Sequence, residues 1–280
     1  MTHRRCGVLG SPISHSLSPA LHRAAYAELG LDWTYDAFDV AEDGLAGFLG
    51  GLDRSWRGLS LTMPLKRAVV PLLDELTGRA RQARAVNTVL LEEGRRTGHN
   101  TDVPGVSAAL RERYDGPVGS AVVVGGGATA ASAILGLADL GCRVATLFVR
   151  EPGRARATVD TAGRHPHGPA VDVRLLGSEP VAADVLVSTV PAGAQTAAVL
   201  SLAEPVRAVF DVIYDPWPTP LARLVDRDGV LVSGLDLLVH QAALQVELMT
   251  GAERAPLAVM RRAGEVALAE RAASSGDPLP

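Results

Sequence analysis

Short apolar runs alternate with amphipathic stretches over the first third of the chain. The apolar run 6–10 predicts a buried strand, and the residues after Pro19 carry apolar side chains at helical spacing. The alternation continues as strand, helix, strand and helix at residues 33–40, 42–49, 57–61 and from Pro64 onward. Because parallel strands are joined by helical crossovers, this order predicts an α/β fold with a largely parallel sheet.

A hairpin follows, and after it a second β/α series begins. Residues 86–91 and 95–98 predict two strands around a turn at Glu92-Glu93-Gly94. Beyond a break at Asp115-Gly116-Pro117, the pattern predicts further strands at 121–124, 143–149, 171–175, 185–188, 206–210 and 230–232. The second series therefore predicts a Rossmann-like domain built on its own sheet.

Two helices predicted from residue 235 to about 273 end the chain, and they are expected to pack back on the first domain. We place the domain boundary near residue 103. The prediction is a two-domain α/β protein, with one domain formed by 1–103 plus 237–280 and the other by 104–236.

Charge and composition exclude several classes of function. The 280-residue chain carries 27 Lys+Arg against 31 Asp+Glu with its arginines scattered, so it lacks the basic patch of a nucleic-acid-binding protein. No apolar stretch reaches membrane-spanning length. Cys6 and Cys142 lie far apart without metal-ligand spacing, as expected for free thiols in a reducing compartment. We expect a cytoplasmic monomer or homodimer with a small-molecule partner, and no metal, membrane or nucleic-acid site.

A glycine-rich segment fits the pattern G-x-G-x-x-A between a predicted strand and an alanine-rich helix. Gly125 suits the tight turn, Gly127 lets backbone amides approach a pyrophosphate, and Ala130 permits close packing of helix on strand. A tight turn without a ligand is the alternative. The context favours a dinucleotide site formed by Gly125, Gly126, Gly127 and Ala128.

The residues after the next predicted strand bear on the choice of dinucleotide. Arg150 and Arg154 stand where a 2′-phosphate would lie, which favours NADP over NAD. Glu151 is the contrary signal, because an acidic residue here would hold the free ribose hydroxyls of NAD. A solvated surface pair of arginines is the alternative.

Lys66 is the only lysine in the chain, and Asn87 and Asn100 are its only asparagines. A lysine can lose its proton where an arginine cannot, so a single retained lysine is a candidate acid/base group. Chance survival in a composition that disfavours lysine is the alternative for Lys66 alone.

Five segments together resemble the shikimate dehydrogenase family from end to end. The first is the opening signature Gly-Ser-Pro-Ile-Ser-His-Ser-Leu-Ser-Pro, and the second is the T-x-P-x-K segment from Thr62 to Lys66. The others are Asn87-Thr88, Asn100-Thr101-Asp102 and the segment 233–241.

The resemblance implies roles for residues in these segments and for Tyr214, which lies in the further matching segment 211–216. Lys66 and Asp102 are the expected catalytic pair, and Ser16 and Ser18 are expected to hold the substrate carboxylate, although Ser18 alone could be a helix cap. Gly234 is expected to approach the nicotinamide. Substrate hydroxyls and the substrate ring are expected to contact Thr62, Asn87, Gln241 and Tyr214.

Four positions depart from the family pattern. Ser60 stands where many members have asparagine, which makes it a candidate determinant of substrate choice. Val149 and Glu151 replace the asparagine and threonine that flank the cofactor arginine, and Leu237 replaces a methionine. These departures bear on the exact substrate and on the preference for NADP over NAD.

The activity that the resemblance implies is the reversible, NADPH-dependent reduction of 3-dehydroshikimate to shikimate. One alternative is a quinate/shikimate or amino-shikimate dehydrogenase that uses the same catalytic pair with NAD or NADP. The other is a nucleotide-binding regulator without turnover, which the intact pair Lys66 and Asp102 disfavours.

Overall fold

The computed structural model describes residues 3–225 and 229–275, apart from the side chains of Arg154, Ser274 and Ser275. The chain forms two compact units, unit 1 with Met1–Thr101 and Leu238–Pro280, and unit 2 with Asp102–Leu237. None of the helices in the described part is long and apolar enough to cross a membrane.

Unit 1 is built on a six-stranded sheet. Its strands are β1 (Arg4–Gly10), β2 (Trp33–Asp39), β3 (Trp56–Leu61), β4 (Glu75–Leu76), β5 (Thr88–Glu92) and β6 (Arg95–His99), in the order β2-β1-β3-β5-β6-β4. Its helices are α1 (Ser18–Glu28), α2 (Leu45–Gly50), α3 (Leu65–Ala68), α4 (Gly78–Ala83), α10 (Gly234–Thr250), which begins before the boundary between units, and α11 (Leu257–Ser275). Helix α11 packs against α1, which confirms that the C-terminal helices return to the first domain.

The direction of each strand in unit 1 follows from the connections. Strands β1, β2 and β3 are mutually parallel through their helical crossovers, whereas β5 is antiparallel to both β3 and β6. The predicted β5–β6 hairpin is confirmed, and its turn residues Glu93 and Gly94 both have positive φ. The sheet is therefore mixed, with parallel pairs among β1, β2 and β3 and between β4 and β6, and antiparallel pairs on both sides of β5.

Unit 2 is a six-stranded sheet in which every pair of strands is parallel. Its strands are β7 (Ser120–Val124), β8 (Val144–Val149), β9 (Ala170–Leu175), β10 (Ala183–Ser188), β11 (Val206–Asp211) and β12 (Val230–Val232), in the order β12-β11-β10-β7-β8-β9. The helices are α5 (Asp102–Arg113), α6 (Ala128–Asp139), α7 (Arg156–Ala162), α8 (Ala197–Leu200) and α9 (Pro220–Leu224). Two apolar clusters, one around Val123 and Ile134 and one around Phe148 and Leu186, form its core.

The hydrophobic pattern does not predict several short elements of the structure. They are strand β4, with two residues, and helices α4, α7, α8 and α9, with four to seven residues each, which are too short to show a clear period. Helix α2 begins at Leu45 and not at residue 42, because the acidic residues before it lie in a turn.

His22 is a fully buried histidine in the core of unit 1. Its ring stacks on Tyr35 with centroids 3.9 Å apart, and Nδ1 lies 2.9 Å from the carbonyl oxygen of Ser18. That carbonyl can only accept, so Nδ1 carries the proton and Nε2 does not. Nε2 has no hydrogen-bond partner among the described residues. Burial accordingly lowers the pKa of His22 from 6.5 to about 4.

The lowered pKa predicts that unit 1 loses stability in mild acid. Between pH 6.5 and about 4 the unfolded chain binds a proton that the folded chain does not, so stability falls as the pH falls. The loss attributable to this group is about 3 kcal/mol by pH 4. Chemical denaturation of wild type and His22→Phe across this range measures it, and the variant should show a flatter pH dependence.

The matched control is His3→Phe, because His3 lies at the surface with half of its side chain exposed. This control should keep the pH dependence of the wild type. Equal slopes for wild type and His22→Phe would contradict the assignment.

Candidate functional site

The topology of unit 1 brings four of the sequence motifs to one edge of its sheet. Parallel strands β1 and β3 end at this edge, and they are followed by the loops 11–17 and 62–64. Because β5 runs in the opposite direction, it begins there, directly after Asn87, and its partner β6 ends there, directly before Asn100. The reversal in the hairpin therefore places both asparagines beside the ends of β1 and β3.

The loop with the two serines is closed by local hydrogen bonds. The Ser16 amide donates to the Ile13 carbonyl at 2.9 Å, and the Ser18 amide donates to the Ser16 hydroxyl at 3.3 Å. Helix α1 is capped at Leu17 without a side-chain hydrogen bond, so Ser18 does not act as its N-cap. Ser18 is buried, whereas Ser16 is partly exposed.

Arg271 on α11 holds the same loop from the other side. Its guanidinium donates to the carbonyl oxygens of His15 at 2.7 Å, Ser16 at 3.1 Å and Ser14 at 3.5 Å. The planar fork of arginine is suited to bridging several acceptors at once. No pattern in the sequence distinguishes this arginine from the many others, because its partners are backbone atoms about 255 residues away.

The segment with the lone lysine is tied to the end of β1. The Thr62 amide donates to the Leu9 carbonyl at 2.9 Å, and the Ser11 amide donates to the Met63 carbonyl at 3.1 Å. A Cβ at Gly10 would lie 2.4 Å from Thr62 Cγ2, so only glycine permits this approach. These hydrogen bonds hold the two loops against each other.

Lys66 lies on the short helix α3, where it is partly buried. The Leu65 amide donates to the Thr62 carbonyl at 2.8 Å, which starts the helix directly after the loop. The Lys66 carbonyl accepts from the Val86 amide at 2.7 Å. This bond fixes the backbone of Lys66 to the residue immediately before Asn87.

Asn87 is the centre of a buried hydrogen-bond network in unit 1. Its Oδ1 accepts from the Thr101 amide at 2.8 Å and from the Thr88 hydroxyl at 2.9 Å. Its Nδ2 donates to Thr101 Oγ1 at 2.9 Å and to Gln241 Oε1 at 3.2 Å. Gln241 in turn donates through Nε2 to the Leu238 carbonyl at 3.1 Å.

A second glutamine, Gln245, joins this network to β3. Its Nε2 donates to the Asn87 carbonyl at 3.1 Å and to Thr88 Oγ1 at 2.9 Å. Its Oε1 accepts from the Ser60 hydroxyl at 2.9 Å, and Ser60 accepts from the Tyr35 hydroxyl at 2.6 Å. Ser60 is therefore occupied by buried partners on both sides.

Gln245 and Tyr35 were not selected from the sequence. Gln245 lies four residues after Gln241 and thus on the same face of α10, a spacing that could have identified it. Tyr35 lies within β2, and no pattern in the sequence indicates that its hydroxyl reaches Ser60 on β3.

The segment after β6 holds the second asparagine and the candidate carboxylate. Asn100 is buried, and its Nδ2 donates to the Ala85 carbonyl at 2.9 Å. Asp102 is also buried and is the first residue of α5, where a carboxylate is stabilised by the positive end of the helix dipole.

In unit 2 the glycine-rich turn lies between β7 and α6, as predicted. Gly125 has φ of 109°, and a Cβ there would lie 2.4 Å from Thr189 Oγ1. Both the backbone conformation and the lack of space for a side chain therefore require glycine at this position. Gly127 caps α6 and has no side chain to occupy the first-turn amides. Gly126 and Ala128 complete the turn, and the buried Ala130 packs against the sheet. The helix N-terminus is suited to binding a phosphate.

The candidate cofactor arginines follow strand β8. Val149 is its last residue and is buried, whereas Arg150 and Glu151 are exposed. Arg154 belongs to a single 3-10 turn, and its side chain lies outside the described residues.

Tyr214 lies on a loop of unit 2 that a buried aspartate organises. Asp211 accepts from Gln195 Nε2 at 2.7 Å, from the Thr219 hydroxyl at 2.6 Å and from the Ile213 amide at 3.3 Å. Burial raises the pKa of Asp211, and these hydrogen bonds oppose the rise. The carboxylate thus fixes both ends of the loop that carries Tyr214.

Gly234 packs directly on the same loop. A Cβ at this position would lie 2.4 Å from the Val212 carbonyl oxygen and 2.5 Å from the Ile213 carbonyl carbon, so a larger residue is excluded. Helix α10 begins here, and Ser233 and Asp236 bond each other reciprocally as its N-terminal cap. The backbone around Gly234 is thereby held in one position.

Comparison with known proteins gives the same assignment for both ends of the chain. A family model described as the shikimate dehydrogenase substrate binding domain matches residues 8–89. A second, described as the shikimate 5'-dehydrogenase C-terminal domain, matches residues 234–263.

Individual relatives align over nearly the whole length. A curated shikimate dehydrogenase (NADP(+)) of Citrifermentans bemidjiense is 39% identical, over 97% of this chain and 97% of its own. The crystal structure of Mycobacterium tuberculosis shikimate dehydrogenase has a TM-score of 0.86 and 41% identity, covering 94% of this chain and 99% of that one. The Thermus thermophilus enzyme in complex with NADP(H) and shikimate has a TM-score of 0.81 and 33% identity, with 95% and 100% covered. The chain therefore belongs to the shikimate dehydrogenase family.

Proposed function

We propose that the protein catalyses the reversible, NADPH-dependent reduction of the ring ketone of 3-dehydroshikimate to give shikimate. The observation that carries the proposal is the edge of the unit 1 sheet, where the loops with Ser16 and Thr62 and the amide of Asn87 are held together. The complex of the Thermus thermophilus relative with NADP(H) and shikimate supports it.

The substrate carboxylate would bind to the hydroxyls of Ser16 and Ser18. Both lie at the start of α1, where the helix dipole favours an anion. Arg271 holds this loop through its backbone carbonyls and adds positive charge nearby. A carboxylate here would therefore meet hydroxyl donors in a region of favourable potential.

The ring of the substrate would be oriented by polar side chains that the fold already holds in place. Thr62, Asn87 and Gln241 would bind its hydroxyls, with a substrate hydroxyl replacing the bond between Asn87 Nδ2 and Gln241 Oε1, and Tyr214 would contact the ring. Asn87 and Gln241 are linked to each other at 3.2 Å and are buried, so little side-chain entropy is left to lose on binding.

Proton transfer is the chemical step assigned to this chain. NADPH supplies the hydride to the carbonyl carbon when it is bound. Lys66 would donate a proton to the alkoxide oxygen that forms, and in the reverse direction it would take the proton from the shikimate hydroxyl. Asp102 would orient the Lys66 ammonium and accept from a neighbouring substrate hydroxyl.

The cofactor would bind to unit 2. Its pyrophosphate would lie on the turn Gly125–Ala128 at the N-terminus of α6, and the nicotinamide would approach the backbone at Gly234. Arg150 and Arg154 would bind the 2′-phosphate that distinguishes NADP from NAD. Glu151 would disfavour that phosphate, and NADP preference therefore depends on the two arginines.

We further propose a cytoplasmic location and a monomeric or homodimeric state. The first rests on two cysteines without disulfide spacing, both buried as free thiols in the structure.

A substrate and cofactor panel tests the proposed function. Shikimate, quinate and amino-shikimate are each assayed with NADP+ and NAD+ by absorbance of the reduced nicotinamide. The expected result is the highest kcat/KM for shikimate with NADP+. A preference for quinate with NAD+ would contradict the proposal, and binding of NADPH without turnover of any substrate would favour the regulator.

Replacing the lone lysine should remove the proton donor and leave the cofactor site intact. We expect Lys66→Ala to lower kcat about 100- to 10,000-fold, with the Kd for NADPH within about twofold of wild type. The neighbouring surface cation provides the control, because Arg67 is exposed on the same short helix and Arg67→Ala should keep wild-type kcat. Normal turnover in Lys66→Ala would refute its role.

Removing the exposed arginine after β8 should affect one cofactor only. Arg150→Ala is expected to raise the KM for NADP+ about tenfold, the cost of one charge-assisted hydrogen bond, and to leave the KM for NAD+ unchanged. Arg143→Ala, an exposed arginine directly before β8, is the control. An equal effect on both cofactors would show that Arg150 does not contact the 2′-phosphate.

Removing the hydrogen bonds from Arg271 to the loop that carries Ser16 should weaken substrate binding. Arg271→Gln is expected to raise the KM for shikimate about three- to tenfold with little change in kcat, because it releases three backbone carbonyls. The KM for NADP+ should not change. Arg262→Gln, exposed on the same helix, is the control, and equal KM values in the two variants would contradict the assignment.

A further inference from the structure

We propose that Tyr35, Ser60, Gln245 and Thr88 are positioning residues that hold the Asn87 amide toward the substrate hydroxyls, in the orientation that the Thr101 amide requires. They form a hydrogen-bond relay in which every donor and acceptor is determined. The inference rests on the proposed function, since it concerns the same substrate hydroxyls. In this inference Ser60 does not contact the substrate and acts through its bond to Gln245.

The polarity of the relay is fixed first at Asn87. A backbone amide can only donate, so the atom of Asn87 that lies 2.8 Å from the Thr101 amide must be its oxygen. The nitrogen of Asn87 then faces the other side and donates to Thr101 Oγ1 and Gln241 Oε1. A flipped Asn87 amide would set two donors against each other at the Thr101 amide.

The polarity is fixed independently at Gln245. A backbone carbonyl can only accept, so the atom of Gln245 that lies 3.1 Å from the Asn87 carbonyl must be its nitrogen. Its oxygen therefore faces Ser60, which must donate to it at 2.9 Å. Ser60 has then used its only proton, and Tyr35 must donate to Ser60 at 2.6 Å.

Thr88 bonds the side-chain amides of both Asn87 and Gln245, and the donor and acceptor roles in these two bonds agree with both amide orientations. It accepts from Gln245 Nε2 at 2.9 Å, so its single proton goes to Asn87 Oδ1 at 2.9 Å. This is the direction that the Thr101 amide already requires of Asn87. The relay runs without conflict from Tyr35 through Ser60, Gln245 and Thr88 to Asn87 and Gln241.

Burial makes the relay costly to interrupt. Relative exposure is 0% for Tyr35 and Thr88, 1% for Gln245 and Asn87, and 3% for Ser60, so water cannot replace a lost partner. Burial also raises the pKa of Tyr35 and keeps its phenol protonated as the first donor. Removing any one hydroxyl leaves a buried amide or hydroxyl without its partner.

Ser60 is one of the positions at which the sequence departs from the pattern that the resemblance implies. Because its hydroxyl bonds both Tyr35 and Gln245, Ser60 supports Asn87 through Gln245 and not by contact with the substrate. The amide orientations are therefore set before substrate binds, which lowers the free-energy cost of ordering them.

The relay is tested with Thr88→Val, which keeps the shape of the side chain and removes the link to both amides. We expect the KM for shikimate to rise about tenfold, the cost of an unsatisfied buried group, with the KM for NADP+ unchanged. Thr88→Ser keeps the hydroxyl and should return KM to within about threefold of wild type. Ser60→Ala should act in the same direction as Thr88→Val.

Two buried tyrosines provide a matched pair of controls. Tyr35→Phe removes the first donor of the relay and should raise the KM for shikimate, whereas Tyr26→Phe removes a buried hydroxyl whose partners, Met249 Sδ at 3.8 Å and the Cys6 thiol, lie outside the relay. Tyr26→Phe should keep wild-type kinetics. Thermal melting of each variant tests whether it is folded at the assay temperature.

Deoxy analogues of shikimate, each lacking one ring hydroxyl, separate positioning from general damage. For the analogue without the hydroxyl that Asn87 and Gln241 bind, Thr88→Val and wild type should have the same KM. The effects of the substitution and of the missing hydroxyl are then not additive. Additive losses with every analogue would overturn the inference. An unchanged KM for shikimate in both Thr88→Val and Ser60→Ala would overturn the relay while leaving the proposed function intact, whereas a wild-type protein that does not turn over shikimate would overturn both.

Discussion

The amide of Asn87 can take only one orientation, and unit 1 is arranged around it. Its oxygen is fixed by the backbone amide of Thr101, and its nitrogen is directed to Gln241 on α10. Through Gln245 the same residue is bonded to β3, and through its own backbone to β6. A single buried residue thus joins two strands, the segment after the hairpin and the long C-terminal helix, which carries Gln241, a second residue assigned to substrate binding.

The mixed sheet explains why so many motifs from distant parts of the chain meet. In a purely parallel sheet, the residues before β5 would lie at the opposite edge from the loops after β1 and β3. The antiparallel hairpin reverses this, because β5 begins and β6 ends at the edge where β1 and β3 end. Unit 2 keeps the purely parallel arrangement, in which the glycine-rich turn and the loop after β11 both follow the ends of strands.

Much of this organisation could be predicted from the sequence, and the exceptions have physical causes. The hydrophobic pattern predicts the long strands, the hairpin and the glycine-rich turn, and Lys66, Asn87 and Asn100 are recognisable because each type is so rare in this chain. Arg271 acts through backbone partners distant in the sequence, so no local pattern marks it. Gln245 also has distant partners, and only its four-residue spacing from Gln241 indicates it. Ser60 was identified as a departure, but only the structure shows that its hydroxyl faces Tyr35 and Gln245.

In the proposed substrate site, the protein sets the hydrogen-bonding polarity before substrate arrives. A crystal structure with shikimate bound, at a resolution that distinguishes amide nitrogen from oxygen by its contacts, decides whether it is. We predict that Asn87 and Gln241 contact ring hydroxyls while Ser60 Oγ keeps its bonds to Gln245 and Tyr35. A structure in which shikimate bonds directly to Ser60, or in which the Asn87 amide is reversed, would contradict this.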